Sequence, residues 1–270
     1  MKYLFLLLGT FSSYLGLLWG APACACNDAS MDFEDSSSMN LSIADASQTG
    51  LDTGTNDFSF AAWIKMESFT GNNSRIMSKG TADPAGFNFF IRSDNSLAIE
   101  YNTDPNQTIL RTTPFGTNNL GTWIHVAAAV DVSGTTSTFY VNNVVSSTIT
   151  VAANATAQQD NAQAFGVGGS GAANSYFDGK IDEAYVFNRI ISAGEVNDLF
   201  TTQVSSTGWT RDYPHLISYW DLDNVITDVV TSTPNDLTNN NSVPFDTADV
   251  PIDACVATAA SKKGGIIMFE

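Results

Sequence analysis

The residues that could carry chemistry in this chain are mostly carboxylates. It holds 28 acidic residues against 11 basic ones, and Asp178, Asp182 and Glu183 form the nearest acidic cluster in a segment of strand character. Hydrolysis of a glycosidic bond needs two carboxyl groups facing one cleft, one as acid and one as nucleophile or base. Successive side chains of a strand point to opposite faces, so Asp182 and Glu183 can share a cleft only if a bulge intervenes. Histidine offers little, because His125 and His215 are the only two. No Ser or Cys lies in a Gly-x-Ser-x-Gly setting that would expose a nucleophile on an elbow, and the shortage of nitrogen and sulfur ligands argues against zinc. Calcium fits better, since hard cations take carboxylate and carbonyl oxygens and the chain has several Asp- and Asn-rich turns. Solubility in an extracellular medium would account for the same acidity without a metal. The expectation is a protein that is not an enzyme.

The elements that must position these groups read as strands. With 270 residues and 43% hydrophobic content, the chain can bury the core of one large β-sandwich. In Phe58–Met66 one face collects Phe58, Phe60, Ala62, Ile64 and Met66 while Ser59, Trp63 and Lys65 fall on the other, so one side faces a core. Further strands are predicted at 75–78, 87–92, 97–101, 123–131 and 137–141, and Asn142-Asn143 supplies a tight turn into another at 144–149. One short helix follows Ser192, which forms a capping box with Glu195; Ile191 staples onto Val196, and Leu199 and Phe200 turn inward. A last strand is predicted within Leu216–Asp223.

The formal charge of −17 repels phosphate backbones and anionic membranes, so nucleic acid is not an expected partner. Lys2, the apolar run from Tyr3 to Trp19 and the small residues that follow read as a signal peptide over 1–25, which predicts a secreted or cell-surface protein with no integral membrane segment after processing. Cleavage after Ala25 leaves Cys26 and Cys255, which can pair in an oxidising compartment; cleavage after Ala23 instead leaves Cys24 as a site for a lipid anchor. A single domain is expected over 31–250, followed by a tail at 251–270.

Several segments in order resemble the laminin-G-like, concanavalin A-like jelly-roll family. They are Phe58-Ser-Phe-Ala-Ala-Trp-Ile-Lys65, Ile76-Met-Ser-Lys-Gly80, Leu120-Gly-Thr-Trp-Ile-His-Val126, Phe139-Tyr-Val-Asn-Asn143 and Phe177-Asp-Gly-Lys-Ile-Asp-Glu-Ala-Tyr-Val-Phe-Asn-Arg189 with Ile191-Ser-Ala-Gly-Glu-Val196. The resemblance covers residues 39 to 203 and implies an all-β fold, a two-sheet antiparallel jelly-roll β-sandwich with one short helix. It departs from the family in one respect. Text similar to the family's first strand, Ser218-Tyr-Trp-Asp-Leu-Asp223 with Asn235-Asp-Leu-Thr-Asn239, stands after the helix. Three readings are open: the segment at 215–250 folds back as a permuted first strand, it begins a truncated tandem array, or it completes a neighbouring subunit's sheet.

The signature of the glycosidases that share this architecture, Glu-x-Asp-x-(x)-Glu on one strand, is missing. The resemblance implies a structural Ca²⁺ near the sandwich edge, with Asp182, Glu183, Asp221 and Asp223 as its ligands, and a structural role for His125. Trp63, Tyr101, Trp123, Tyr140 and Tyr176 are the aromatic platforms a sugar ring could stack on. The implied function is that of a non-catalytic recognition module for an extracellular glycan or protein. The alternative is a structural surface or appendage protein that assembles through strand exchange. The oligomeric state is not legible in the sequence.

Overall fold

The structure, a computed structural model, describes residues 29–54, 56–69, 72–80, 86–103, 106–112, 114, 119–132, 136–150, 161–169, 175–201, 213–230, 232 and 234–251. The segment read as a signal peptide, Cys24, Cys26, Cys255 and the tail from 252 onward lie outside the described residues. In chain order the strands are β1 (Ser30–Phe33), β2 (Asn40–Ile43), β3 (Phe58–Met66), β4 (Ser74–Lys79), β5 (Phe87–Ile91), β6 (Leu97–Thr103), β7 (Asn106–Arg111), β8 (Ile124–Val130), β9 (Ser137–Val141), β10 (Val144–Ile149), β11 (Phe165–Val167) and β12 (Gly179–Phe187). Helix α1 (Ala193–Thr201) follows, then β13 (Leu216–Trp220), β14 (Thr238–Asn240) and β15 (Phe245–Asp246).

Every strand pair is antiparallel. Sheet A has the order β10-β9-β8-β3-β12-β1-β15, with β13 also on β12, and sheet B the order β14-β2-β11-β4-β5-β6-β7. The two sheets pack as a sandwich. Phe60 of sheet A meets Phe87 and Phe89 of sheet B at ring-centroid distances of 4.9 and 5.7 Å, and Trp220 stacks on Phe165 at 5.3 Å. The alternation along β3 sets its core side as the spacing predicts, with Phe58, Phe60, Ala62, Ile64 and Met66 all in the core between the sheets. Its other side is also buried. Ala61, Ala127 and Ala129 make a shallow floor on which Ile191, Val196 and Leu199 pack beside Tyr140, Tyr185, Phe187 and Tyr219. Small side chains at these positions let a helix lie close to the strands, which is why the outer face of sheet A forms a second apolar layer.

The helix begins as its sequence predicts. The Ser192 N–H donates to Glu195 Oε2 at 2.8 Å, and the Glu195 N–H donates to Ser192 Oγ at 3.2 Å. Asn142 and Asn143 both adopt positive φ, 49° and 62°, in the turn between β9 and β10.

The C-terminal segment is paired within its own chain. β13 lies on β12 with Ala184 opposite Trp220 and Tyr185 opposite Tyr219, and β1 lies on the same edge with Met31 opposite Ile181 and Phe33 opposite Gly179. Strands from the two ends of the described chain thus follow one another along one edge of β12. β14 extends sheet B from β2, and β15 extends sheet A from β1. The short strands β1, β2, β11, β14 and β15 span two to four residues each, too few for an alternation to declare itself in the sequence.

Glu195 also accepts hydrogen bonds from Arg189 Nη1 at 2.9 Å and Nη2 at 2.5 Å. Arg189, together with the Ser192 cap, outweighs burial and holds its carboxyl down, at about 2 against an ordinary 4.5. A depressed carboxylate contributes stability that is present above pH 4.5 and lost as the pH falls toward 2. Glu195→Gln should therefore cost about 1 kcal/mol at pH 7, and the difference from the parent chain should shrink as the pH falls from 4.5 through about 2 in urea unfolding curves.

Candidate functional site

The site grows out of the shared edge of β12. Opposite β3, β12 runs in register from Gly179 to Asp182, shifts, and resumes at Tyr185 opposite Ala61. This is the bulge that would let Asp182 and Glu183 share a side, and Glu183 occupies it with φ of 51°. The separation of the two carboxylates onto opposite faces, expected for a regular strand, does not hold. Asp182 stands in register with Trp63, on the outer face. The Glu183 carboxylate meets two hydroxyls of that same face: Tyr185 Oη and Tyr219 Oη donate to its Oε2 at 2.5 and 2.8 Å. Their rings stack at 4.3 Å and 3°, which fixes both donors together.

The bulge sits where β13 ends and β1 begins, and the other two expected carboxylates arrive there from the turn after β13. Leu222 and Asn224 adopt positive φ at 59° each, bending the chain so that Asp221 and Asp223 stay near the bulge. Asp223 Oδ1 accepts the N–H of Ala29 at 3.0 Å, tying the entry of β1 to the exit of β13. Asp221 Oδ1 accepts the N–H of Asp223 at 3.3 Å, and Asp182 Oδ1 accepts that of Glu183 at 3.0 Å.

Burial is the dominant electrostatic fact. Asp182 and Asp221 are fully buried, and Glu183 is 1% exposed. Burial pushes the Glu183 carboxyl up to about 8; the two tyrosine hydroxyls oppose that rise, while the charges of Asp223 and Asp221 add to it. Its Oε1 has no hydrogen-bond partner. These residues offer only oxygen donors and include a buried oxygen to which nothing donates, the donor chemistry a hard cation takes, but they are not among the described carboxylates whose oxygens gather within 4.8 Å of one another.

A tighter carboxylate group, which sequence reasoning missed, lies elsewhere on the same sheet. Oxygens of Asp32, Glu34 and Glu67 come within 4.8 Å of one another, but a cation of the chain already answers Asp32 and Glu67. Lys180 Nζ lies 3.0 Å from Glu67, 3.5 Å from Asp32, 3.6 Å from Asp246 and 3.7 Å from Asp249. Its burial disfavours the charge, but the Glu67 hydrogen bond and the surrounding carboxylates prevail and hold it well above the usual lysine range. Four segments distant in sequence build this ring, so no local motif announces it.

The five aromatic candidates separate by burial. Tyr101 lies in the core between the sheets, Tyr140 lies under α1, and Trp63 stacks on Phe200 at 5.3 Å. Trp123 and Tyr176 are half-buried. Trp123 Nε1 donates to Asp249 Oδ1 at 2.8 Å. His125 is buried beside Trp63 and Phe200, at 5.4 and 5.9 Å between ring centroids, and burial lowers its pKa to about 3, so it is neutral.

Residues 35–197 match the Laminin_G_3 model of the concanavalin A-like lectin/glucanases superfamily. Two solved structures show the same fold. One is a candidate carbohydrate-binding protein from Bacteroides ovatus, 20% identical with a TM-score of 0.60, where the match covers 83% of this chain. This chain spans 61% of the length of that protein. The other is the heptameric SAP-like pentraxin of Limulus polyphemus, 14% identical with a TM-score of 0.54, covering 81% of this chain and 94% of the pentraxin. No curated protein matches the chain. Among the described residues, no helix is long and apolar enough to cross a membrane.

Tyr219→Phe removes one of the two donors to the buried Glu183 carboxyl and leaves the ring stack in place. It should cost about 1–3 kcal/mol, measured as a fall in the urea midpoint at unchanged slope.

Proposed function

This chain belongs to the Laminin_G_3 family of the concanavalin A-like lectin/glucanases superfamily, and on that premise we propose that it is an exported, non-catalytic module that binds an extracellular glycan. The observation that carries the reading is the placement of the carboxylates at the β12 bulge. Members of a superfamily named for lectins and glucanases can use such a fold to bind or to hydrolyse, and hydrolysis needs two carboxyl groups open to a substrate cleft. Here Asp182, Glu183 and Asp221 are at most 1% exposed, and Glu183 is engaged by two tyrosines. Groups so enclosed can organise the fold but cannot reach a sugar. The resemblance to the Bacteroides ovatus protein is in keeping with a binding role, and the charged and apolar start of the chain, Lys2 with Tyr3 to Trp19, supports export. A lipid anchor at Cys24 or a Cys26–Cys255 disulfide would follow from where the leader is cut.

The reading includes a structural Ca²⁺ held by Asp182, Glu183, Asp221 and Asp223. When bound, the ion would supply the positive charge that the buried carboxylates lack. Two features of the chain support the reading: the bulge turns Asp182 and Glu183 to one side, and the Asp223–Ala29 hydrogen bond brings the turn after β13 against the start of β1. A ligand that binds only the folded state at about a hundredfold over its Kd adds about 2.7 kcal/mol of stability. Calcium added after EDTA treatment should raise the Tm by roughly 5–10 °C, and Asp221→Asn should abolish the rise. An unchanged Tm in the parent chain would remove the ion from the proposal.

Retention of the purified chain on a broad glycan array, with no release of reducing sugar from the glycans that retain it, is the expected outcome for the function. Turnover of any bound glycan, lost in Glu183→Gln, would instead assign the chain to hydrolysis.

A further inference from the structure

The aromatic rings that could stack on a sugar are packed in different ways. Tyr101 and Tyr140 belong to the two apolar clusters, and Trp63 is closed in by Phe200 and His125. Trp123 is half-buried. Among the described residues it belongs to neither cluster, and no other ring stacks on it. A tryptophan left out of every core forgoes the burial that usually holds so large a ring. The same aromatic surface, reachable from solvent, suits the C–H side of a sugar.

Polar groups open to solvent gather at this ring. Ile64 faces the core, so Lys65 after it points to the outer face of sheet A. The Gly121 N–H donates to the Met66 carbonyl at 2.8 Å, which fixes the turn entering β8 against the end of β3. Asp249, three residues beyond β15, completes the group. Its Oδ1 accepts the Trp123 Nε1–H at 2.8 Å, its Oδ2 lies 2.6 Å from Lys65 Nζ, and its carbonyl oxygen accepts the Ser30 hydroxyl at 2.9 Å. Burial raises the Asp249 carboxyl, but the hydrogen bonds from Lys65 and Trp123 and the charges of Lys65 and Lys180 outweigh it and hold it below the usual range. The Lys65 and Asp249 side chains are 20% and 29% exposed. The polar row that crosses sheet B from Ser78 through Asn88 to Glu100 offers no such access at its centre, where Ser78 is fully buried and Asn88 2% exposed.

We propose that the outer face of sheet A at Trp123, beyond the ground that α1 covers, is the glycan site: the indole receives the apolar side of a sugar ring, Lys65 Nζ donates to its hydroxyls and Asp249 accepts from them. The inference rests on the reading of the chain as a glycan-binding module and says where and what it binds. An indole already held at its Nε1 edge keeps its orientation without a ligand, so binding has less ordering to do. An ammonium beside a carboxylate supplies a donor and an acceptor to adjacent hydroxyls. The ligand class is a neutral oligosaccharide, because Asp32, Glu67, Asp246 and Asp249 outnumber Lys65 and Lys180 here and repel acidic sugars.

The test uses the full chain on an array of neutral and acidic oligosaccharides, followed by calorimetric titration with the neutral glycan best retained. Trp123→Ala should weaken binding about tenfold or more. Lys65→Gln breaks a partly exposed ion pair, so its Tm should fall by no more than about 4 °C while its affinity drops by a similar factor. The glycan should change the tryptophan fluorescence of the parent chain, and Trp123→Phe at saturating glycan should lack that change. Tyr176→Ala, at the other half-buried ring, should bind as the parent does. If the parent chain binds a neutral glycan and the Trp123 and Lys65 variants bind it equally well, or the fluorescence change survives in Trp123→Phe, the site lies elsewhere and the binding function stands. If acidic glycans alone are retained, the assignment to neutral sugars falls. If the parent chain retains no glycan, the binding function and this site fall together.

Discussion

The structure depends most on the double-sided pairing of β12. All nine of its residues are buried, which commits its backbone to partners on both edges, since an unpaired N–H or C=O there would have no water to turn to. β3 pairs along one edge from Gly179 to Phe187, with a shift between Asp182 and Tyr185. The other is satisfied in two pieces, by β13 over Ala184–Phe187 and by β1 over Gly179–Ile181. The sandwich therefore closes only when residues nearly two hundred positions apart arrive at the same strand. The interval between the two pieces is where the ladder is interrupted, where the bulge is tolerated, and where the buried carboxylates collect.

That interval is one of the places where so acidic a chain sets carboxyl groups inside. A carboxylate without compensation is expensive in a low-dielectric interior. Elsewhere the chain meets the cost with its few cations: Lys180 is surrounded by Asp32, Glu67, Asp246 and Asp249, and Lys79 lies 2.7 Å from Asp45 and 2.5 Å from Asp52. At the bulge burial instead pushes the Glu183 carboxyl up to about 8, so that it is largely uncharged at neutral pH, and the stacked hydroxyls of Tyr185 and Tyr219 meet one of its oxygens and leave the other.

The two outer faces differ in composition. Sheet A presents alanines and aromatics to α1, so that part of its outer face is consumed by packing. Sheet B presents a polar row whose centre is buried and under-satisfied.

The sequence by itself determined what local periodicity and short-range chemistry can specify. The two-residue alternation of Phe58–Met66 set which side of β3 meets sheet B, the Ser192–Glu195 box placed the start of α1, and Asn142-Asn143 made the turn between β9 and β10. The ordered segments from Phe58 to Val196 carried the family and the sandwich class. The gathering of Asp182, Glu183, Asp221 and Asp223 at one edge came from that resemblance and not from spacing. Only the tertiary structure decided the rest. The bulge at Glu183 has no local mark, since nothing about a glutamate announces positive φ; the shift is visible only against the register of β3. Short strands such as Thr238–Asn240 and Phe245–Asp246 exist because β2 and β1 offer them an edge. The Lys180 ring joins residues that are distant in the chain, and such contacts are specified by how strands pair, not by what their neighbours in sequence are.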